Sequence, residues 1–137
     1  RSGVNKDTLQ NLLDTGECVV NIVSAALLNA ANMSSATIDA DESEFDFASV
    51  ESTASYKVTP RSVEASPVRY ECTLREVISI GDLPAGGTVV LLDVQAVYVR
   101  DDIYIDSAID QSLIDSVGKL GGDYYSFTSS SIALERP

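Results

Sequence analysis

The chain has 137 residues, 45% of them hydrophobic, and a formal net charge of −12. That length and a mean hydropathy of +0.07 fit one folded domain spanning residues 1–137 and exclude a disordered chain. The acidic balance excludes nucleic acid and anionic membrane surfaces as partners, because phosphates need clustered Lys and Arg, and no apolar run reaches the roughly 18 residues of a membrane helix. In chain order, Arg1 stands where a Met would open a whole protein, so the sequence reads as the interior of a longer one. Lys6 to Asp14 is predicted to be a short helix: Leu9, Leu12 and Leu13 share a face, and Asp7 or Asn5 can cap it. Gly16 ends that helix in the left-handed conformation. ECVVNIVS, Glu17–Ser24, is a β-branched strand, and Ala25–Met33 returns to helix.

Ser34–Val63 changes composition. It carries DADESEFDF, many hydroxyl residues and Pro60, and reads as one long polar excursion with a short element near Phe45–Val50. Such a segment is expected to be mobile and to form a lid or rim beside a ligand. Its acidic residues Asp39, Asp41, Glu42 and Glu44 lack the glycine and terminal glutamate of a calcium loop, so they read as a solvated face. From Ser66 the chain is strongly β. Val68, Tyr70, Cys72 and Leu74 alternate with Arg69, Glu71, Thr73 and Arg75, which predicts one buried face and one wet face. Gly81–Gly87 is a turn, TVVLLDVQAVYV the next strand, and Arg100-Asp101-Asp102 a tight turn into IYI. Long neighbouring strands with a short connection predict an antiparallel meander. Asp106–Val117 reads as a short helical or extended cover. SVGKLGGDYYSFT, Ser116–Thr128, then joins one cation, two adjacent glycines and two tyrosines. That is either a plain turn or a loop that passes close to a flat, anionic ligand.

Cys18 and Cys72 form no close pair, which leaves neither a zinc signature nor a CxxC motif; reduced, buried thiols in the cytoplasm are expected. With no His in the chain, Ser-His and Cys-His catalytic pairs are excluded. Residue pattern alone gives a mainly β fold, a β-barrel with short helices at its edge.

Four segments, in order, resemble the flavin reductase-like family, whose fold is the FMN-binding split barrel, an antiparallel barrel of Greek-key type. They are NKDTLQNLLDTGECVVNIVS, LLNAANMSSATIDADESEFDFASV, EASPVRYECTL and SVGKLGGDYYSF. Cys18 stands where the family has Phe, Lys119 where it has Arg, Leu92 where a Gly is frequent, and Tyr98 where a His is common. The family's N-terminal strands have no counterpart here, so the chain resembles the C-terminal two-thirds of a member. The resemblance implies that Lys6, Asp7 and Thr8 lie at the FMN phosphate, with Asp7 capping or orienting rather than touching it. It implies that Lys119, Gly121, Gly122 and Tyr125 belong to a loop that closes over the flavin or a nicotinamide nucleotide. The activity implied is that of an FMN-dependent oxidoreductase drawing on NADH or NADPH, in a homodimer. A non-catalytic FMN-binding domain, or a structural or interaction domain of the same fold, stands as the alternative.

Overall fold

A computed structural model of the chain describes residues 6–39, 42–81 and 87–137. In chain order the elements are α1 (Asp7–Thr15), β1 (Glu17–Asn21), a 3₁₀ turn at Ala25–Leu27, α2 (Leu28–Met33) and α3 (Glu44–Phe47). The short strands β2 (Ser52–Thr53) and β3 (Ser62–Val63) precede the two long ones, β4 (Val68–Ile80) and β5 (Gly87–Val99). After a 3₁₀ turn at Asp101–Ile103 come β6 (Tyr104–Ile105), β7 (Ala108–Ile109), α4 (Gln111–Ile114), β8 (Val117–Lys119) and β9 (Tyr125–Phe127). Asn5, Asp41 and residues 82–86 of the expected turn lie outside the described residues. The chain divides into two compact units. One holds the residues up to Val20, Ala54–Arg61 and Tyr70–Val97; the other holds Asn21–Thr53, Ser62–Arg69 and Tyr98–Pro137.

The first unit begins with α1, which buries Leu12 and ends at Gly16, φ +69°, whose N–H bonds the Leu12 carbonyl. A left-handed residue there is what lets the chain reverse directly into β1. The N-cap, however, is Lys6, and its side chain makes no capping bond. Asp7 is the first helical residue rather than the cap; its charge still favours the positive end of the helix dipole. The three long strands pair in the order β1-β4-β5. Thr73 faces Gln95 and Arg75 faces Asp93 across β4 and β5, side-chain pairs of constant residue sum, so these strands run antiparallel as expected.

The burial along β4 departs from strict alternation. Val68 and Cys72 are buried, but so are Arg69 and Glu71, 7% and 5% exposed, which the pattern assigns to water. Glu71 is covered by the loop Ala54–Arg61. Its carboxylate accepts the backbone N–H of Tyr56 at 2.8 Å and that of Lys57 as well. Glu17 accepts the Thr59 N–H at 2.8 Å in the same loop, and Val58 is buried. Two carboxylates therefore hold a loop that carries almost no secondary structure of its own. The segment Ser34–Val63 is accordingly not one polar excursion: it contains α3, β2, β3 and the buried residues Ala48, Val58 and Ser62.

Both cysteines are free, Cys72 buried and Cys18 half-buried. Burial raises both thiol pKa values, and the neighbouring Cys72 raises that of Cys18 further. A raised thiol pKa leaves less thiolate, the reactive form, at neutral pH. Alkylation at pH 7.5 should therefore be slow at both positions in the native protein and fast after denaturation without reductant. Rapid native labelling of Cys72, counted by mass, would contradict this packing.

In the second unit, Ser43 caps α3 by accepting the Asp46 N–H at 3.5 Å. β2 and β3 pair antiparallel, Ser52 with Val63 and Thr53 with Ser62. Ser66, fully buried, donates its hydroxyl to the carbonyls of Ile22 and Val68, each at 2.9 Å. The expected short helical or extended cover at Asp106–Val117 takes the form of the second strand of a hairpin followed by α4. Tyr104 pairs with Ile109 and Ile105 with Ala108, leaving Asp106 and Ser107 as a two-residue turn, both with positive φ. Positive φ at both central residues matches the twist of the flanking strands. Ala25–Met33 is likewise divided, a 3₁₀ turn running into α2. Among the described residues no helix is long and apolar enough to cross a membrane.

Candidate functional site

Lys6, Asp7 and Thr8 lie together in the first unit, at the start of the nine-residue α1, and all three are exposed. The first amides of a helix have no intrahelical acceptor and carry a partial positive charge. Since no side chain of the N-cap satisfies them, this end of α1 offers N–H donors, an ammonium and a hydroxyl to one anion. Asp7 is the only acidic residue of that first turn.

Lys119, Gly121, Gly122 and Tyr125 lie in the second unit, in the turn between β8 and β9. The two strands pair Val117 with Phe127, Gly118 with Ser126 and Lys119 with Tyr125. The glycine of this segment that needs close approach is Gly118, which sequence reasoning passed over: a Cβ there would sit 2.6 Å from Ser126 Oγ. Gly122 has φ +61°, a turn requirement, whereas a Cβ on Gly121 would meet nothing within 4 Å. The loop is internally tied. The Lys119 ammonium donates to the Gly122 carbonyl and stands 4.6 Å from the centroid of the Tyr125 ring. Tyr125 donates its hydroxyl to Asn32 Oδ1 of α2, 3.1 Å away. Tyr125 is thus fixed in orientation by a residue 93 positions earlier, and Asn32 joins the candidate set.

Two further features of the second unit escaped the sequence. A cavity of about 300 Å³ lies between the end of β1, α2 and α3, walled mainly by Ile22, Leu27, Ala31, Phe45, Ala48 and Val50. Arg69, at the start of β4, holds its guanidinium carbon 3.6 Å from the centroid of the Tyr98 ring. Alternation placed Arg69 in water; the aromatic partner, distant in sequence, is what permits its burial. Among the described residues no group of three acidic, Cys or His side chains is placed to hold a metal ion.

The family pattern described as flavin reductase like domain matches residues 2–112. An uncharacterized protein of Halalkalibacterium halodurans is 32% identical over 137 residues, covering 98% of this chain and 66% of its own. Among solved structures, nitrilotriacetate monooxygenase component B from Bacillus cereus superposes with a TM-score of 0.89 at 25% identity, covering 98% of this chain and 67% of that one. A protein of Shewanella frigidimarina, assigned as a flavin reductase with a split barrel domain, gives a TM-score of 0.82 at 28% identity over 95% and 65% of the two chains. The chain therefore spans about two thirds of the length of each of these proteins. Its mainly β architecture with short helices is that of the split-barrel proteins, and the chain belongs to the flavin reductase-like domain family.

Proposed function

We propose that the chain holds FMN for an oxidoreductase of the flavin reductase type that takes electrons from NADH or NADPH. The observation that carries this reading is the start of α1. There an exposed Lys6 and Thr8 flank helix amides that the side chain of the N-cap, Lys6, leaves uncapped, in a chain of the flavin reductase-like family. Those groups fit a phosphate monoester: the amides and the Thr8 hydroxyl donate, and Lys6 supplies a full positive charge. In a chain of net charge −12, the surrounding field repels anions, so this local donor set must outweigh it. Asp7, an acceptor like the phosphate oxygens, is assigned to the helix start and not to ligand contact.

In this reading Lys119, Gly121, Gly122 and Tyr125 border the flavin ring or the nicotinamide nucleotide. The open space over Gly121 admits a ligand against the backbone, and the bond from Tyr125 to Asn32 holds the phenol ready without reordering. FMN, when bound, supplies the hydride-accepting ring; the protein supplies position and electrostatics, so no nucleophile or strong base is required of this chain. The two units form one domain in this reading, supported by a family match that runs through both. The free thiols favour the reducing cytoplasm as its compartment.

A homodimer belongs to the same reading. In the first unit Ile80, Val94 and Val97 are 55%, 54% and 50% exposed, and β5 is an end strand of its sheet among the described residues. An apolar strand with a free edge favours association. Light scattering of the full-length protein at micromolar concentration should return twice the chain mass; a clean monomer removes this part.

The function is tested by the visible spectrum of the full-length protein after incubation with FMN and gel filtration, followed by addition of NADH or NADPH. Retained flavin that bleaches with the nucleotide supports the oxidoreductase. Retained flavin that does not bleach makes the domain a flavin holder only, and no retained flavin overturns the proposal.

A further inference from the structure

We infer that Arg69 is the core of an oxyanion-binding site, for a phosphate or carboxylate group of a small molecule, and that Glu64 is its displaceable internal stand-in. This goes beyond the flavin reading and rests on the second unit alone.

The Arg69 side chain is 8% exposed, yet its nearest carboxylate oxygen, Glu64 Oε2, lies 3.9 Å from Nη1. That is beyond hydrogen-bond reach, and Nη1 is buried without any hydrogen-bond partner among the described residues. A guanidinium removed from water and left unpaired is costly, so such a group is retained where a partner arrives to complete it. Glu64 is a poor permanent partner, its side chain being 54% exposed, and a solvated ion pair of this kind contributes little. Tyr98 supplies the other half of the design. Its ring takes the face of the Arg69 cation at 3.6 Å, which fixes the guanidinium and leaves its N–H groups for oxygen acceptors.

The nearby charges fit this assignment. Arg100, two residues beyond Tyr98, already donates its Nε–H to Asp102. That bond is the chief cause raising the pKa of the Arg100 guanidinium. Arg100 thus has a hydrogen-bonded counter-ion, whereas Arg69, stacked on Tyr98, has none among the described residues. Among the described residues Arg69 is the one basic residue that is buried. Phosphate and carboxylate both present a pair of oxygens that accept the two parallel N–H bonds of a guanidinium fork.

The test uses the full-length protein at constant ionic strength, titrated with inorganic phosphate in one arm and benzoate in the other. It follows the Arg69 Nε–H resonance and the melting temperature. The expected result is a saturable shift of that resonance by at least one of the two anions. Glu64→Gln should tighten binding about threefold or more by removing the competing carboxylate, and, being at an exposed site, it leaves folding intact. Arg69→Met, which keeps the apolar stem over Tyr98, should weaken binding about tenfold or more, the range for losing a charge-assisted pair. Arg75→Gln on β4 should change nothing and controls for net charge. Response to phosphate alone indicates a phosphoester ligand, and response to benzoate alone an aromatic carboxylate. No saturable shift with either anion in wild type and Glu64→Gln overturns the site. So does binding that Arg69→Met leaves unchanged, or that Glu64→Gln weakens.

Discussion

Glu71→Gln should lower stability by about 2–4 kcal/mol, the largest single effect expected in the chain. The carboxylate accepts two successive backbone N–H groups, of Tyr56 and Lys57, and the residue is only 5% exposed. Glutamine keeps one oxygen but turns an NH₂ toward the other N–H, so one donor loses its acceptor and both lose the charge. The same change at Glu17 should cost under about 1 kcal/mol, because that carboxylate holds a single N–H, of Thr59, where water can substitute. Chemical denaturation gives the two numbers. Amide hydrogen exchange assigns them: in Glu71→Gln the Tyr56 and Lys57 amides should lose protection while Thr59 keeps its own. Equal stability of the wild type and Glu71→Gln would mean that the loop is not held by this carboxylate.

That clamp marks the limit of what the sequence made legible. Apolar–polar alternation sufficed to read β4 as a strand, β-branched content sufficed for β1, and Leu9, Leu12 and Gly16 sufficed for α1 and its end, because each rests on neighbours in the chain. Alternation reports which way a side chain points, not what lies over it. Arg69 and Glu71 point to the face called wet and are buried there by Tyr98 and by the loop at Tyr56 and Lys57, partners 14 to 29 residues away. β2 and β3 are two residues each, too short to carry a period, so the segment around them read as a polar loop. The Asp106-Ser107 turn lacks the glycine that usually announces a two-residue hairpin. At the candidate site the same division holds. The helix start and the glycine loop were visible as local motifs, whereas Asn32 enters only through its bond to Tyr125, and the cavity beside α2 only through packing of three separate elements.

Lys6→Ala should weaken FMN binding by about 1–3 kcal/mol, the range for a lost charge-assisted hydrogen bond. The prediction concerns the full-length protein and separates the phosphate from the ring. Riboflavin lacks the phosphate, so its affinity should hardly change in the same variant. Thr8→Ala should cost less than Lys6→Ala, because the amides of α1 remain and a hydroxyl contributes a neutral bond. Asp7→Asn should leave affinity unchanged or raise it slightly. The carboxylate is not the cap, since the N-cap position belongs to Lys6, and removing it deletes a negative neighbour of the phosphate at a small loss of helix-dipole stabilisation. The net charge of −12 sharpens the contrast, for there are few cations to replace Lys6 and the background field opposes binding. Salt screens both the Lys6 attraction and the repulsive background, so rising salt should favour FMN binding more in Lys6→Ala, where one attractive charge is gone, than in the wild type. Isothermal titration with both flavins decides the matter. If Lys6→Ala weakens FMN and riboflavin equally, the α1 start does not hold the phosphate, and the flavin must be anchored elsewhere in the fold.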